Sequence, residues 1–455
     1  MQPSLNQPQK EHQHMKHDRS DGIRLLVLGI LAFLLLGYTM LLLNDHVDDF
    51  LGVYLGTRVL LMHQDPFDSN VMYRAYLASG GSAPAQLQER INLQIVTEQV
   101  YPPTTYLYIA PLAMLNWKTA RFLWTGITSL ALILATVLIW LMAADYAPTL
   151  AGFLAAILLS NCLVLFTGGN PAGVVIGLCV VAVWCFQKQR LEWVGVICLA
   201  VSLTIKPHDS GLVWLYLLLA GGVKRKRALQ ALAFGVLMAV PSILWVNAVA
   251  PNWTEGARTN LAVLSRHGGL NEPGPETVTG RSAAPVIDLQ AAIATFENHP
   301  FVYNTISYLV FIGILLLWLK KTITSDHSPR QTWLALAVVS SLTMLPIYHR
   351  PYDAKLLLLS IPACVMLWAE GRRKRWPALL FTLSAIVFTS DIPLSIFSLL
   401  GRSIPSGSGT GGKILLLLTT QPAPLSLLAM ALFYLWVYLR EANEVVSPAE
   451  TPRQA

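Results

Sequence analysis

The chain has 455 residues, of which 54% are hydrophobic and only 13% charged, with a mean hydropathy of +0.52. That apolar excess is more than a soluble core can bury, so a soluble globular protein is excluded and an integral membrane protein is expected. The net charge of +7 does not point to nucleic acid as a partner, because Lys and Arg fall in short clusters between apolar runs, as cytoplasmic loops require.

The first 23 residues are polar and read as a disordered cytoplasmic tail, with the histidines of "EHQHMKHDRS" solvated rather than metal-bound. The apolar run that follows, near 24–43, lacks a small-residue cleavage site and reads as a retained first span. Further runs lie near 104–116, 119–143, 149–167, 171–187, 193–206, 209–222, 228–250, 301–319, 331–347, 353–370, 376–399 and 413–438, and residues 439–455 form a second polar tail. Runs such as 104–116 and 193–206 are too short to cross a bilayer straight, and such pieces are tolerated only where protein or a water-filled cavity covers them. The expected fold is therefore an all-α polytopic membrane protein of about 11 to 13 transmembrane or half-spanning helices. Residues 24–370 carry the function and 371–438 are additional C-terminal helices. Cys162, Cys179, Cys185, Cys198 and Cys364 all lie in apolar segments and read as packing residues.

The basic clusters "KTAR" (118–121), "QKQR" (187–190), "KRKR" (224–227), "KKTITSDHSPR" (320–330) and "GRRKR" (371–375) are expected on the cytoplasmic side, with both termini. If every run crosses once, "KRKR" falls outside. The expectation is then that 149–167, interrupted by Ser160 and Asn161, dips in and returns. Short spans and loops suggest a bacterial inner membrane. The outward segments become 44–103, "TGGNP", "KPHD" (206–209), 251–300, "YHRPYDAK" (348–355) and 400–413, so the unusual polar residues gather on one face. Ionisable groups at membrane ends are costly to desolvate and tend to mark function.

Asp48 and Asp49, directly after the first span, are a candidate general base, because mutual repulsion raises the pKa of one of them. An N-cap is the alternative. The prolines of "YPPTTYLYIAPLAML" (101–115) fix the start of a short span. "GGN" (168–170) suits a sugar hydroxyl, a phosphate or a simple turn, while "AGVVIG" has the small-residue spacing of close helix packing. Lys206, before the helix-breaking Pro207, either snorkels or meets an anionic lipid phosphate. His349, Arg350 and Asp353 place an imidazole, a phosphate-binding fork and a carboxylate within five residues. No metal ligands are assigned and metal dependence stays open, since one adjacent acidic pair is too little for a divalent site without further carboxylates. The loop 251–300, rich in Gly and Pro around "HGGLNEPGPETVTGRS", is expected to order only on binding.

Taken together, "DDFLGVYLGTRVLLMHQDPFD" (48–68), "YPPTTYLYIAPLAML", "GGNPAGVVIGLCVV", "GVICLAVSLTIKP" (195–207) and "YHRPYDAKLLLLSIP" (348–362) resemble the GT-C membrane glycosyltransferases. The likeness is to glycosyltransferase family 87, once called DUF2029, which includes polyprenol-phosphate-mannose-dependent mannosyltransferases. It covers most of residues 25–365, and "GGN" departs from the family's usual Gly-Gln-x-Asn. The resemblance implies an inverting transfer of a sugar, mannose by analogy, from a polyprenyl-phosphate donor to a lipid or glycan acceptor on the extracytoplasmic face, with no cofactor. It makes Asp49 the base, with Asp48 as understudy. Lys206 and Arg350 then hold the donor phosphate, His349 lies beside that phosphate or the acceptor, Asp353 orients His349 or Arg350, and Tyr54 and Asn170 contact sugar. A transporter or flippase of lipid-linked sugars is the alternative of another class. Against it stand the lack of an internal repeat and of acids or bases in the middle of a span.

Overall fold

The computed structural model describes residues 7–43, 48–274, 286–390, 393 and 409–440, and every long element is a helix. The protein is an all-α, multi-pass membrane protein. Among the described residues, six helices are long and apolar enough to span, at Asp18–Leu43, Trp117–Ala143, Pro148–Gly168, Gly222–Val249, Pro300–Ile323 and Pro422–Arg440, and shorter apolar helices stand between them.

Helix α1 (Gln7–Leu43) begins well inside the polar segment read as a disordered tail, and Thr149 Oγ1 donates to the Asp18 carbonyl at 2.8 Å. Small residues let α1 lie directly on α7 (Pro148–Ser160) and α8 (Leu163–Gly168). Gly22 faces Pro148, Gly29 faces Ala156 and Gly37 faces Phe166, each closely enough that an added Cβ would collide. These three contacts advance together along both segments, so α7 and α8 run parallel to α1 through its whole depth. Residues 149–167 therefore cross completely instead of dipping and returning. The chain does break at Ser160 and Asn161, where the buried Lys355 ammonium donates to the carbonyls of Leu158 (2.8 Å) and Asn161, which the interrupted helix leaves unpaired.

The topological conflict resolves at 104–116. Helix α5 (Pro103–Ala113) is 11 residues, about 16 Å, and packs on α2 (Asp48–Leu61). The chain then turns back at Asn116, whose side chain accepts from the Thr119 amide and starts α6 (Trp117–Ala143). Arg121 Nη2 donates to the Leu41 carbonyl at 2.6 Å, so α6 starts at the C-terminal end of α1. "KTAR" thus lies at the Asp49 end, not with the other basic clusters. Those clusters do meet at the opposite end, where Arg227 pairs with Glu192, Arg225 donates to the Leu218 carbonyl, and Arg330 pairs with Glu370.

Helix α9 (Ala172–Lys188) leads back to that end, and α10 (Glu192–Ile205) and α11 (Pro207–Leu219) form a hairpin whose tip is Lys206. Lys206 has φ −138° and ψ 82°, outside helical geometry, because Pro207 disfavours an α conformation in the residue before it. At 14 and 13 residues the two helices reach only about 20 Å. The hairpin tip is therefore sunk below the level that a full span of about 30 Å would reach. After α12 (Gly222–Val249), the amphipathic α13 (Trp253–Ser265) and α14 (Leu289–Ala294) lie in the segment 251–300 expected to order only on binding. Its described parts are built in: the Ile287 amide donates to the His349 carbonyl (2.9 Å) and the Leu289 amide to the Leu345 carbonyl (3.0 Å). The Gly- and Pro-rich centre of that segment, 275–285, lies outside the described residues, as do 44–47 and most of 400–413.

Candidate active site

The hairpin tip brings together side chains far apart in sequence. Lys206 Nζ lies 2.5 Å from Asp353 Oδ1, 3.2 Å from Asp209 Oδ2 and 3.4 Å from Asn170 Oδ1, and all four residues are buried. The ammonium also stands 5.2 Å from the centre of the Tyr352 ring. A snorkelling lysine would reach for water; this one is held inward by two carboxylates, so its charge is balanced within the protein. Asn170 follows Gly169, whose φ of 62° ends α8 in the left-handed region that glycine tolerates. Its Oδ1 also accepts from the Ala172 amide at 2.9 Å, and its Nδ2 lies 3.4 Å from the Tyr101 hydroxyl.

The segment 343–352, between α16 (Pro329–Leu342) and a 3-10 turn at Asp353–Ser360, supplies the opposing wall. Asp353 Oδ2 accepts from the Arg350 amide at 2.9 Å, so one carboxylate fixes both the lysine and the backbone that carries Arg350. The Arg350 guanidinium donates through Nε to the Tyr348 hydroxyl (2.6 Å) and through Nη2 to the Leu270 carbonyl (3.1 Å), tying the long loop to the site. His349 is fully buried; its Nε2 lies 3.4 Å from Asp209 Oδ1 and its ring stands 5.2 Å from that of His208.

Asp49 occupies the second position of α2, with its carboxylate against the turn after α8: a Cβ on Gly168 would stand 2.8 Å from Asp49 Oδ2. Phe50 beside it stacks on Trp124, whose indole donates to the Gly169 carbonyl at 2.7 Å, so two adjacent residues clamp α2 to that turn. The carboxylate acts electrostatically on Tyr101, Tyr352 and Arg350. Burial first, and Asp49 second, push the Tyr101 hydroxyl well above its usual range; for Tyr352 the causes are burial, then Tyr348, then Asp49. Asp49 thus lies within electrostatic reach of Tyr101, Tyr352 and Arg350, beside the turn that carries Asn170.

Six of the residues singled out from sequence therefore converge: Asp49, Asn170, Lys206, His349, Arg350 and Asp353. Tyr54 does not join them, because its hydroxyl donates to the Leu115 carbonyl (2.8 Å) and accepts from Arg58 (3.0 Å), within an apolar cluster beside Trp117. The side chain of Asp48 lies outside the described residues. Sequence reasoning missed Asp209 and His208, although both stand in the quoted "KPHD", and it missed Tyr101. It also missed Asp288, a buried carboxyl that accepts from the Ala291 amide through Oδ1 and is pushed up to about 7 by burial. No periodicity marks Asp288, which sits in a stretch read only as loop.

The family model of glycosyltransferase family 87 matches residues 100–346. The chain belongs to glycosyltransferase family 87. This family-87 protein is thus a membrane glycosyltransferase, acting on a sugar donor and an acceptor in a membrane. The match includes Asn170, Lys206 and Asp209 and ends just before His349. No curated protein and no solved structure matches the chain.

Proposed function

We propose that this family-87 enzyme transfers a sugar, mannose in our reading, from a polyprenyl-phosphate donor to a lipid or glycan acceptor on the extracytoplasmic face, inverting the anomeric centre. The observation that carries the reading is the pair of buried cationic residues Lys206 and Arg350, both held by Asp353 at one end of the bundle, with the Asp49 carboxylate within electrostatic reach of Arg350. A leaving phosphate develops negative charge, and preorganised cations in a dry site stabilise it with little reorganisation. Lys206 binds the donor phosphate by exchanging part of its contact with Asp353 and Asp209. Arg350 shapes the wall and, through Leu270, holds the loop over it. His349 stands beside the phosphate. Asp49 takes the proton from the acceptor hydroxyl, which then attacks opposite the phosphate, so that no covalent sugar intermediate is needed. Asn170 is assigned to positioning Lys206 and the start of α9 rather than to the sugar, since its Oδ1 is used by both.

The distribution of charge supports this face. The clusters at 187–190, 224–227, 320–330 and 371–375 share the end opposite the site, which supports a cytoplasmic location for that end. The hairpin tip below the membrane surface suits a lipid-borne phosphate arriving sideways.

The test uses full-length protein in detergent with radiolabelled polyprenyl-phosphate-mannose and a membrane lipid extract as acceptor pool. Asp49→Asn is expected to lower transfer roughly 100- to 10,000-fold while donor binding persists. Absence of product with any polyprenyl-phosphate sugar, alongside passage of unchanged label across sealed vesicles, would overturn the transferase in favour of a transporter.

A further inference from the structure

We propose that His208, Asp209 and His349 form a binding site for one transition-metal dication of the zinc class. One ligand atom from each residue lies within 4.8 Å of the others, and both histidines address the same oxygen: His349 Nε2 is 3.4 Å and His208 Nε2 3.9 Å from Asp209 Oδ1. Zinc bonds of about 2.0–2.2 Å at near-tetrahedral angles place ligand atoms roughly 3.2–3.6 Å apart, so small side-chain rotations suffice.

A close cluster is not in itself a site, and a second observation points to the missing cation. His349 Nδ1 lies 2.7 Å from the Ile347 carbonyl, an acceptor only, so Nδ1 carries the proton and donates it. The other nitrogen, Nε2, is completely buried, has no hydrogen-bond partner and faces Asp209 Oδ1 at 3.4 Å, a polar atom aimed into the cluster. A cation between them satisfies both atoms. A carbonyl on the far nitrogen is also the arrangement that commonly orients a metal-binding histidine.

The surroundings favour a partly filled coordination sphere. Lys206 engages the other oxygen of Asp209, Oδ2, at 3.2 Å and leaves Oδ1 for the metal. The His208 side chain is 33% exposed, so the fourth position opens away from the buried face. Two imidazoles and one carboxylate suit zinc, cobalt or manganese and are too nitrogen-rich for calcium or magnesium. If the proposed transfer is correct, an oxygen of the donor phosphate is the fourth ligand, while metal binding itself stands whether or not that reaction does.

The experiment uses full-length protein in detergent, stripped with a chelator and titrated calorimetrically with zinc chloride, with bound metal counted by mass spectrometry. His208→Ala is the main variant, because this partly exposed side chain can be shortened with little disturbance to packing. Asp209→Asn is the second, and thermal unfolding monitors the fold of each. The expected result is one zinc per chain that is lost in His208→Ala, with cobalt in its place giving the visible bands of a four-coordinate site. Zinc that stays bound equally in His208→Ala, at the N-terminal histidines for instance, would overturn the proposal. So would a folded wild type that takes up none. Neither readout depends on sugar transfer, so the site and the reaction fail separately.

Discussion

Replacing Lys206 by Met removes the cation between two buried carboxylates while keeping the length of the side chain. Asp353 and Asp209 are each 1% exposed, and Lys206 lies 2.5 and 3.2 Å from them, so neither can turn to water when the ammonium is gone. Breaking a buried pair by deleting one partner costs about 3–5 kcal/mol, because an uncompensated charge stays behind. In thermal unfolding of a 455-residue chain this corresponds to a fall of about 3–5 °C. Adding Asp353→Asn to Lys206→Met removes one stranded charge, and an asparagine oxygen can still accept from the Arg350 amide as Asp353 does now at 2.9 Å. The double variant should regain about half of the lost stability and none of the transfer activity, since the phosphate-binding cation is still missing. The assay is tryptophan-fluorescence unfolding in detergent, read beside donor binding. If Lys206→Met melts with the wild type, the ammonium is not the counter-charge of these carboxylates and the site as described is wrong.

Other substitutions separate packing from chemistry. Gly168→Ala sets a Cβ 2.8 Å from Asp49 Oδ2; the flexible carboxylate should swing away, so transfer drops at least tenfold with little change in melting temperature, and full activity would show that Asp49 is not held against this turn. Gly29→Ala meets the Ala156 backbone and cannot be relieved by a side chain, so strain on the seam between α1 and α7 should destabilise the protein by about 1–3 kcal/mol, a fall in melting temperature of about 1–3 °C. Asp288 has its acidity lowered on folding, so the penalty for its charged form is absent below pH 4, grows as pH rises towards about 7, and is constant above. Asp288→Asn should therefore stabilise the protein at pH 8, by roughly 4 kcal/mol at most, and not at pH 4; equal melting temperatures of variant and wild type at pH 8 would count against a strained carboxylate. All five native cysteines are buried, so an impermeant maleimide should label intact vesicles only through an introduced thiol, with Lys118→Cys and Arg190→Cys reacting from opposite sides. Labelling of both from one side would restore the dipping segment.

The sequence by itself determined the class. Its apolar excess demands a bilayer, its short runs could not all be spans, and its unusual polar residues gather at one end, conclusions that depend on composition and local spacing alone. The order of its motifs resembles that of family 87, which is a likeness to known sequences and not a consequence of spacing. The topology did not follow, because the positive-inside rule weighs clusters and cannot see that Arg121 belongs to Leu41 or that Gly22, Gly29 and Gly37 mark a parallel neighbour. The shortness of 104–116 was legible in the sequence, but that the chain turns back at Asn116 instead of crossing was decided by the packing of α5 on α2 and the start of α6 beside Leu41. The site divides in the same way. Lys206, Arg350, His349, Asp353 and Asp49 announced themselves as charged residues at membrane ends, where desolvation makes ornamental charge costly. Only tertiary packing placed Asp209 between Lys206 and His349, gave Tyr54 to Leu115, and buried Asp288 within the segment read as loop, because these roles rest on contacts and burial that local spacing does not encode.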